Sequence, residues 1–425
     1  MPEPRAFDPF GHIITINSYR LVSSDKRAKS IENARQFLAF VHLQDYDACM
    51  KPNDMTPHPA RLGLRIRAAR EACGLTQKTL ASSLGFADRQ TLSTIETGER
   101  RVQAAELVRF SQELNKPIEW FIDPFVIAGE ASFSWRVSPK VSNETLDDFE
   151  SRIGQFVGLY RFLKVALHGP SNPLTQVLRM PAYPTFEDAW AWGELLVQQM
   201  DLGLIPSQHL IERIESKLDL PILFIDAETN SSPDGISGAM CRLPDLGAIV
   251  INRQESLVRR YFDVAHELFH ALTWDKMPPE RREDPDAKPP VRSRRIEQLA
   301  DNFAAAVLMP KSSLTKLIDP ARFNDAEHLC EVARELQVST GALAYRLFNA
   351  KMIDEPTRSE LCEQKLAKVQ TEPPRLLSES FVLLLHDGIA RGHVSARKAA
   401  KALSMTLEEL SLLMRDYNKT APFSI

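Results

Sequence analysis

The feature that most constrains this sequence is an H-E-x-x-H motif in an apolar stretch, at residues 266–270. In a helix, residues four apart lie on one face, so His266 and His270 can bind one metal ion while Glu267 lies beside them. Two imidazoles and an adjacent general base make half of a catalytic zinc site. The other half is a third protein ligand that leaves one coordination position to water.

A second helical stretch supplies a candidate for that ligand. Apolar residues keep helical spacing from Ile296 to Leu308, and Pro310 ends the pattern. Glu297 is the candidate third ligand. Asp301 lies one turn further on the same face, where its carboxylate can accept the free N–H of a ligand histidine and fix its tautomer. A solvated acidic pair on an amphipathic helix is the alternative.

Composition limits the class of protein. The chain has 425 residues, of which 44% are apolar and 25% charged, as expected of a soluble protein. No apolar run is long enough for a membrane span, and no basic segment precedes an apolar stretch at the N-terminus, so we expect a cytoplasmic protein without membrane contact. The 5 cysteines lack CxxC spacing, which favours neither a disulfide framework nor a thiolate zinc site.

Residues 59–125 have the pattern of short helices separated by polar turns. Thr76 and Asp88 are candidate N-caps of a second and a third helix. Residues 61–116 hold ten Lys/Arg and six Asp/Glu, a net charge of 10 − 6 = +4. This order and spacing resemble the Xre/Cro-type helix-turn-helix, whose second motif helix enters the major groove of DNA. A helical bundle with a mildly basic surface is the alternative.

That resemblance implies two kinds of contact with double-stranded DNA. Three residues are expected to reach base edges, and these are Arg89, Gln90 and Thr91. Two residues are expected to lie near phosphate, and these are Gln77 and Lys78.

After Pro206 the apolar pattern changes from a helical to a strand-like period. Residues 221–225 and 248–252 are apolar runs with 235–240 between them, which predicts a small antiparallel sheet just before the motif helix. The edge strand of that sheet can hold an extended peptide by β-augmentation, or the sheet can simply support the helix. Both interpretations stay open.

Residues 186–355 resemble the ImmA/IrrE family of zinc metallo-endopeptidases. The strand ending at Asn252, residues 260–270, 297–310 and 338–347 carry the resemblance, together with a spacing between His270 and Glu297 of 297 − 270 = 27 residues. The resemblance implies Zn²⁺ bound by His266, His270 and Glu297, with Glu267 activating water. A glycine is usual before the second histidine, and Phe269 stands there, which bears on substrate specificity.

The sequence therefore predicts a mostly helical α+β chain. Its expected parts are an N-terminal extension of unknown role (1–58), an all-α helix-turn-helix domain (59–125), a helical connector (126–185), a zincin-like metallopeptidase domain with the small sheet (186–355) and C-terminal helices (356–425). The extension includes a candidate strand over 13–16 and a candidate helix over 30–41. Residues 392–403 resemble a small helix-turn-helix unit, although a plain helical hairpin is favoured.

The resemblances imply a DNA-binding transcriptional regulator of repressor or antitoxin type, with a zinc-dependent endopeptidase that cleaves itself or an Xre-type partner under stress. Expected partners are an inverted-repeat operator bound by a homodimer, a protein substrate and, in a toxin–antitoxin context, a toxin. The alternative is a non-proteolytic transcription factor or antitoxin whose peptidase-like domain senses metal or binds a partner. Glu267 favours catalysis, because a sensor needs the ligands but not the base.

Overall fold

The computed structural model describes residues 58–169, 178, 181, 183–227, 235–283, 291–364 and 372–424, and the backbone at 5–7 and 13–15. At the N-terminus, β1 (Arg5–Phe7) pairs antiparallel with β2 (Ile13–Thr15). The helix expected over 30–41 lies outside the described residues. None of the described helices is both long and apolar enough to cross a membrane.

The N-terminal helical module consists of α1 (Pro59–Ala72), α2 (Gln77–Ser83), α3 (Arg89–Glu96), α4 (Ala104–Glu113) and α5 (Ile118–Ile122). Side-chain caps start its two central helices: Thr76 accepts the backbone N–H of Thr79, and Asp88 accepts that of Thr91. The module has its own apolar core, which includes Leu80, Leu92, Ile95 and Phe110. The predicted all-α helix-turn-helix domain is confirmed.

The predicted small sheet is present, but it is mixed rather than antiparallel. Its strands are β3 (Ser132–Val137), β4 (Ile222–Ile225), β5 (Ile236–Arg242), β6 (Gly247–Asn252) and β7 (Arg282–Glu283), in the order β4-β6-β5-β3-β7. Pairs β3–β5 and β5–β6 are antiparallel, whereas β4–β6 and β3–β7 are parallel. The reason is that β4 pairs with β6 and not with β5. The chain reverses direction between β4 and β5 and again between β5 and β6, so β4 and β6 run in the same direction.

The segment expected to be a helical connector holds β3 as well as α6 (Asn143–His168). The expectation of a purely helical segment is wrong, because residues 132–137 alternate between small or polar and large side chains and extend the sheet beside β5. β7 then covers part of the outer edge of β3, where the N–H of Trp135 donates to the carbonyl of Arg281 at 2.8 Å. This side of the sheet is thus partly covered by the chain itself, and β4 forms the other edge.

The sheet is buried on both faces. In β4, Ile222 and Phe224 point into one apolar core, and Leu223 and Ile225 point into the other. The first core is completed by α7 (Phe186–Met200), α8 (Ser207–Leu218), α9 (Leu257–Thr273), α10 (Val291–Leu308), α11 (Lys311–Leu317), α12 (Ala326–Leu336), α13 (Thr340–Asn349) and α14 (Glu355–Glu363). The second is completed by α6, α15 (Glu379–Ala390), α16 (Ala396–Ala402) and α17 (Leu407–Asp416).

Small side chains let α10 pack closely against both of its neighbours. Ala300 and Ala304 are fully buried in the same core as α9. On the α7 side, a Cβ added to Gly193 would lie 2.8 Å from the Phe303 carbonyl oxygen, so only glycine permits this approach. Close packing on both sides fixes the position of α10 relative to α9.

The turn between α16 and α17 repeats the turn between α2 and α3. The N–H of Met405 donates to the carbonyl of Ala400 at 2.9 Å, just as Phe86 donates to Ala81 at 2.9 Å. The same bond also ends α12, where the N–H of Val338 donates to the carbonyl of Ala333 at 3.0 Å, so it marks a helix C-terminus in general, and the plain helical hairpin stays the favoured interpretation. Glu408 lies in the first turn of α17, where a carboxylate would repel a DNA phosphate.

A partly buried ion network joins the helical module to the sheet. Glu130 contacts Arg61 of α1 at 3.2 Å and Arg161 of α6 at 2.7 Å, and Arg161 also contacts Asp245 in the β5–β6 turn at 2.8 Å. Arg65 of α1 lies 4.0 Å from Glu130, and burial lowers the pKa of its guanidinium to about 10. Because charged groups this buried are costly to separate, the network holds α1 against the sheet.

Candidate metal centre and DNA-binding surface

The H-E-x-x-H motif lies in the buried part of α9. The helix begins at a cap in which the Ser256 hydroxyl accepts the N–H of Arg259, and its apolar face packs in the core. His266 and His270 are 1% and 0% exposed, and their Nε2 atoms are 3.1 Å apart. The predicted spacing therefore brings both imidazoles to one face, one helical turn apart.

Glu297 of α10 reaches the same point. Its Oε2 lies 3.2 Å from Nε2 of His266 and 3.4 Å from Nε2 of His270. Its side chain is 26% exposed, so the site is open on this side. Within the described residues, His266, His270 and Glu297 are the group of three that could hold a metal ion.

The donor atoms suit zinc. A tetrahedral Zn²⁺ with bonds of about 2.0–2.1 Å separates its ligand atoms by roughly 3.3 Å, and the three separations here run from 3.1 to 3.4 Å. Two imidazole nitrogens and one carboxylate oxygen are a ligand set found in catalytic zinc sites. The residues present therefore fit the ion.

Asp301 lies where the sequence placed it, one turn beyond Glu297. Its Oδ1 is 2.9 Å from Nδ1 of His266. A carboxylate at Nδ1 favours the tautomer with the proton on that nitrogen, which directs the Nε2 lone pair towards His270 and Glu297.

Glu267 is fully buried on α9, next to the first histidine. It faces β5, where a Cβ added to Gly238 would lie 4.0 Å from Glu267 Cγ and 2.9 Å from the Val250 carbonyl oxygen. A larger residue at position 238 would therefore press on the strand next to this carboxylate.

Two further charged residues, Arg136 and Asp263, lie next to the centre. Neither was predicted from the sequence. Arg136 of β3 places Nη1 3.3 Å from Oδ1 of Asp263 and Nη2 3.9 Å from Oδ1 of Asp301. Asp263 is fully buried and also pairs with Arg259 at 2.9 Å. Asp263 could have been found, because it lies one turn before His266 on α9. Arg136 had no local signal, since 130 residues separate it from the motif.

The candidate DNA-contact residues differ in how freely they face solvent. Arg89 and Gln90 are exposed at the start of α3, and Lys78 is exposed on α2. By contrast, the Thr91 hydroxyl donates to Asp88 at 3.0 Å.

Gln77 is also engaged within the module. Its side-chain amide donates to Glu96 at 2.8 Å, and Glu96 is itself held by Arg70 at 2.6 Å. The structure thus presents Arg89, Gln90 and Lys78 outward and ties Thr91 and Gln77 to the scaffold.

Two family models match the chain. One is described as the IrrE N-terminal-like domain and matches residues 221–348; the other is described as helix-turn-helix and matches residues 66–121. Proteins from Sinorhizobium medicae and Rhizobium meliloti, both named as uncharacterized HTH-type transcriptional regulators, are each 33% identical over 104 residues, which is 24% of this chain and 72% of the relative. The chain belongs to the HTH-type transcriptional regulators.

Solved structures resemble the regulator only weakly. A Mycobacterium tuberculosis transcriptional regulator has a TM-score of 0.26 at 16% identity, over 38% of this chain and 46% of that chain. PlcR of Bacillus thuringiensis, solved with the peptide PapR7 and DNA, has a TM-score of 0.15 at 10% identity, over 84% and 94% of the two chains. These TM-scores are too low to establish a shared fold.

The matched segments agree with the architecture of the regulator. The helix-turn-helix match covers α2 to α4, and the IrrE-like match runs from the start of β4 into α13, so it includes both helices of the candidate metal centre. The predicted resemblance to both families is confirmed. β3, which carries Arg136, lies outside both matches, so the family likeness did not indicate this residue either.

Proposed function

We propose that this regulator is a DNA-binding repressor or antitoxin whose second domain is a zinc-dependent endopeptidase. The observation that supports the proposal most directly is the convergence of His266, His270 and Glu297 beside a buried Glu267. Three protein ligands with an adjacent general base form the active site of a zinc hydrolase. Its substrate is the chain itself or an Xre-type partner, and cleavage follows stress.

Each residue then has a defined task. His266, His270 and Glu297 would hold the ion, while Asp301 orients the first imidazole. Bound Zn²⁺ would supply a Lewis acid that polarises a peptide carbonyl. Glu267 removes a proton from the attacking water and passes it to the leaving amine. Burial of Glu267 keeps bulk water away from that transfer.

The helix-turn-helix domain supplies DNA binding, and its finer details are part of the proposal. A homodimer on an inverted repeat would place the N-terminus of α3 in successive major grooves. Arg89 and Gln90, which are exposed there, would read bases, while Lys78 would contact phosphate. We place this activity in the cytoplasm, with a toxin as an additional partner where the gene belongs to a toxin–antitoxin pair.

Glu267→Gln tests the proposal, because it removes the base and keeps the side-chain volume. The variant should retain zinc and operator binding. It should lose both the shorter product of this chain or its partner and the derepression of the promoter under stress. The measurements are zinc content, an immunoblot and a promoter reporter. Glu331→Gln, at an exposed position on α12, is the matched control.

If Glu267→Gln responds to stress as the wild type does, proteolysis is excluded. The non-proteolytic regulator, in which the domain senses metal or binds a partner, would then take its place.

A further inference from the structure

A short segment between α9 and α10 lies along the outer edge of β3. Residues 280–283 form this segment, which we call the strap, and its second half is β7. Two hydrogen bonds join its first half to β3. The N–H of Trp135 donates to the Arg281 carbonyl, and the Ser134 hydroxyl donates to the Glu280 carbonyl, each at 2.8 Å. The strap therefore takes the place of one more strand at this edge of the sheet.

Two arginine side chains attach the strap to neighbouring parts of the chain. Arg281 pairs with two carboxylates of α6, those of Asp147 and Glu150, the second at 3.1 Å. Arg282 donates to the Ser138 carbonyl at 2.8 Å. The edge of β3 thus offers backbone groups beside acidic and carbonyl acceptors, a combination that suits an extended segment with basic side chains.

This edge lies close to the metal centre. Arg136 of β3 is the register partner of Glu283 in the strap, and its guanidinium lies 3.9 Å from the Asp301 carboxylate. Asp301 in turn contacts Nδ1 of His266 at 2.9 Å. A segment that pairs with β3 is therefore separated by one side chain from the carboxylate that orients a candidate ligand.

The strap is held more weakly than the strand beneath it. β7 pairs with β3 over two residues, and the side chains of Arg281 and Asp147 are 47% and 62% exposed. Exposed ion pairs stabilise a fold little, because water and salt screen them. β3 itself is held separately, by its antiparallel pairing with β5 from Ser132 to Val137. A competing segment can therefore displace the strap while the sheet stays folded.

We propose that the outer edge of β3, together with Asp147 and Glu150, docks an extended basic segment of the protein substrate, and that the strap occupies this surface until the substrate displaces it. The inference rests on the proposed peptidase function. It adds the chemistry of the segment that docks and a restraint on cleavage. Backbone pairing supplies affinity for any extended segment, and the two carboxylates select basic side chains.

The test uses the full-length chain with Glu267→Gln, so that the probe is not cleaved. The probe is a fluorescent peptide with the sequence of residues 277–283. In the chain, Arg281→Ala with Arg282→Ala weakens the strap. We expect this released variant to bind the probe at least about tenfold more tightly than the chain with an intact strap, because a tethered segment competes at an effective concentration in the millimolar range. Fluorescence anisotropy measures both affinities.

Two further measurements establish what the probe recognises. A probe in which alanine replaces both arginines should bind at least about tenfold more weakly to the released variant. Hydrogen exchange at the Trp135 amide, which donates to the strap, should be faster in the released variant without probe. Unchanged exchange would show that the arginines do not hold the strap, and the proposal would be wrong.

Substitutions on α6 locate the docking surface. Asp147→Asn combined with Glu150→Gln in the released variant should remove the gain in affinity, because the probe loses both carboxylates. Asp148→Asn, at an exposed position on the same helix, should keep it.

Equal probe affinity with intact and released strap, or affinity that survives loss of both carboxylates, would overturn the docking surface and leave the metal centre standing. The proposed function is tested separately in chains that retain Glu267. There, the released variant should form more of the shorter product without stress. If the probe binds as expected and none of these chains forms a product, the peptidase function fails, and the edge of β3 is a partner-binding surface of a non-proteolytic regulator.

Discussion

In the candidate metal centre the candidate site residues face one another, whereas three of the five candidate DNA-contact residues of the helix-turn-helix module face solvent. His266, His270 and Asp263 are at most 1% exposed and are held by Glu297, Asp301 and Arg136. Arg89, Gln90 and Lys78 are exposed instead. The other two candidates with polar side chains, Gln77 and Thr91, form hydrogen bonds within the module.

This difference is the one expected for the two proposed ligands, a metal ion and DNA. A small ion is bound by atoms that must lie within a few ångströms of each other before it arrives, so the protein fixes them by packing and hydrogen bonds. DNA is a large polyanion that meets a surface, so its contacts need long exposed side chains and a rigid helix beneath them. Substitutions in the two regions should therefore have different consequences.

Loss of a ligand histidine should have the largest effect. His270→Ala removes one of three protein ligands, so we expect zinc content to fall from about one ion per chain to near zero. Operator binding should persist, because α1 to α4 have their own core. Elemental analysis and a gel-shift assay measure the two properties.

His328→Ala is the control for that experiment, because this buried histidine accepts the N–H of Asp319 at 3.0 Å and is not one of the candidate metal ligands. Wild-type protein without zinc would contradict the metal centre. Loss of operator binding together with zinc would contradict the independence of the two regions.

Arg136→Met should have the next largest effect. It removes the cation that lies between Asp263 and Asp301, so the carboxylate that orients His266 loses support, and zinc affinity should fall by about tenfold. Competition with a chelator measures the affinity. Arg136→Lys should restore part of it.

The control is Arg281→Met, because Arg281 pairs with Asp147 and Glu150 of α6, which are not part of the candidate metal centre. Equal losses in Arg136→Met and Arg281→Met would mean that the effect is a general one on the fold, and no loss in Arg136→Met would exclude its positioning role.

Arg136 also marks the limit of sequence-based prediction in this chain. His266, His270, Glu297 and Asp301 were predictable because each ligand or partner stands at helical spacing from another, and short-range periodicity determines which face a residue occupies. Arg136 reaches the centre only because β3 pairs with β5, and strand pairing depends on contacts far apart in sequence. The mixed order of the sheet was missed for the same reason.

In the helix-turn-helix module, the sequence predicted Thr76 and Asp88 as the N-caps of α2 and α3. It did not reveal that Gln77 and Thr91 form hydrogen bonds within the scaffold.

The DNA-contact assignments predict a moderate effect that separates two roles. Arg89→Ala should cost about 1–3 kcal/mol on the operator and relax base preference, because an exposed arginine at the start of α3 is placed for base edges. Lys78→Ala should weaken binding to all sequences. It should also lower the slope of log affinity against log salt concentration by about one.

Fluorescence anisotropy with operator and random DNA at several salt concentrations distinguishes the two variants. Gln77→Ala is a useful comparison, because the side-chain amide of Gln77 donates a hydrogen bond to Glu96. The assignments are wrong if Arg89→Ala and Lys78→Ala lose affinity equally on both DNAs.

The smallest expected effect concerns the scaffold below the DNA-binding surface. Glu106 of α4 pairs with Arg100 at 2.6 Å and accepts the backbone N–H of Gln103 at 2.9 Å. The Arg100 guanidinium holds the pKa of Glu106 below its ordinary value of 4.5. Glu106→Gln should therefore destabilise α4 by about 1 kcal/mol at neutral pH, which accelerates hydrogen exchange in residues 100–114 about fivefold.

The sign of the pH dependence sharpens this last test. Because the pKa of Glu106 is lowered in the folded state, its contribution is fully present above the ordinary value and is lost as pH falls through the lowered one. The difference in exchange between wild type and Glu106→Gln, corrected for intrinsic rates, should thus shrink at acidic pH. Glu113→Gln, exposed on the same helix, should leave exchange unchanged at every pH. A difference between wild type and Glu106→Gln that is constant with pH would show that the carboxylate charge is not what stabilises the start of α4.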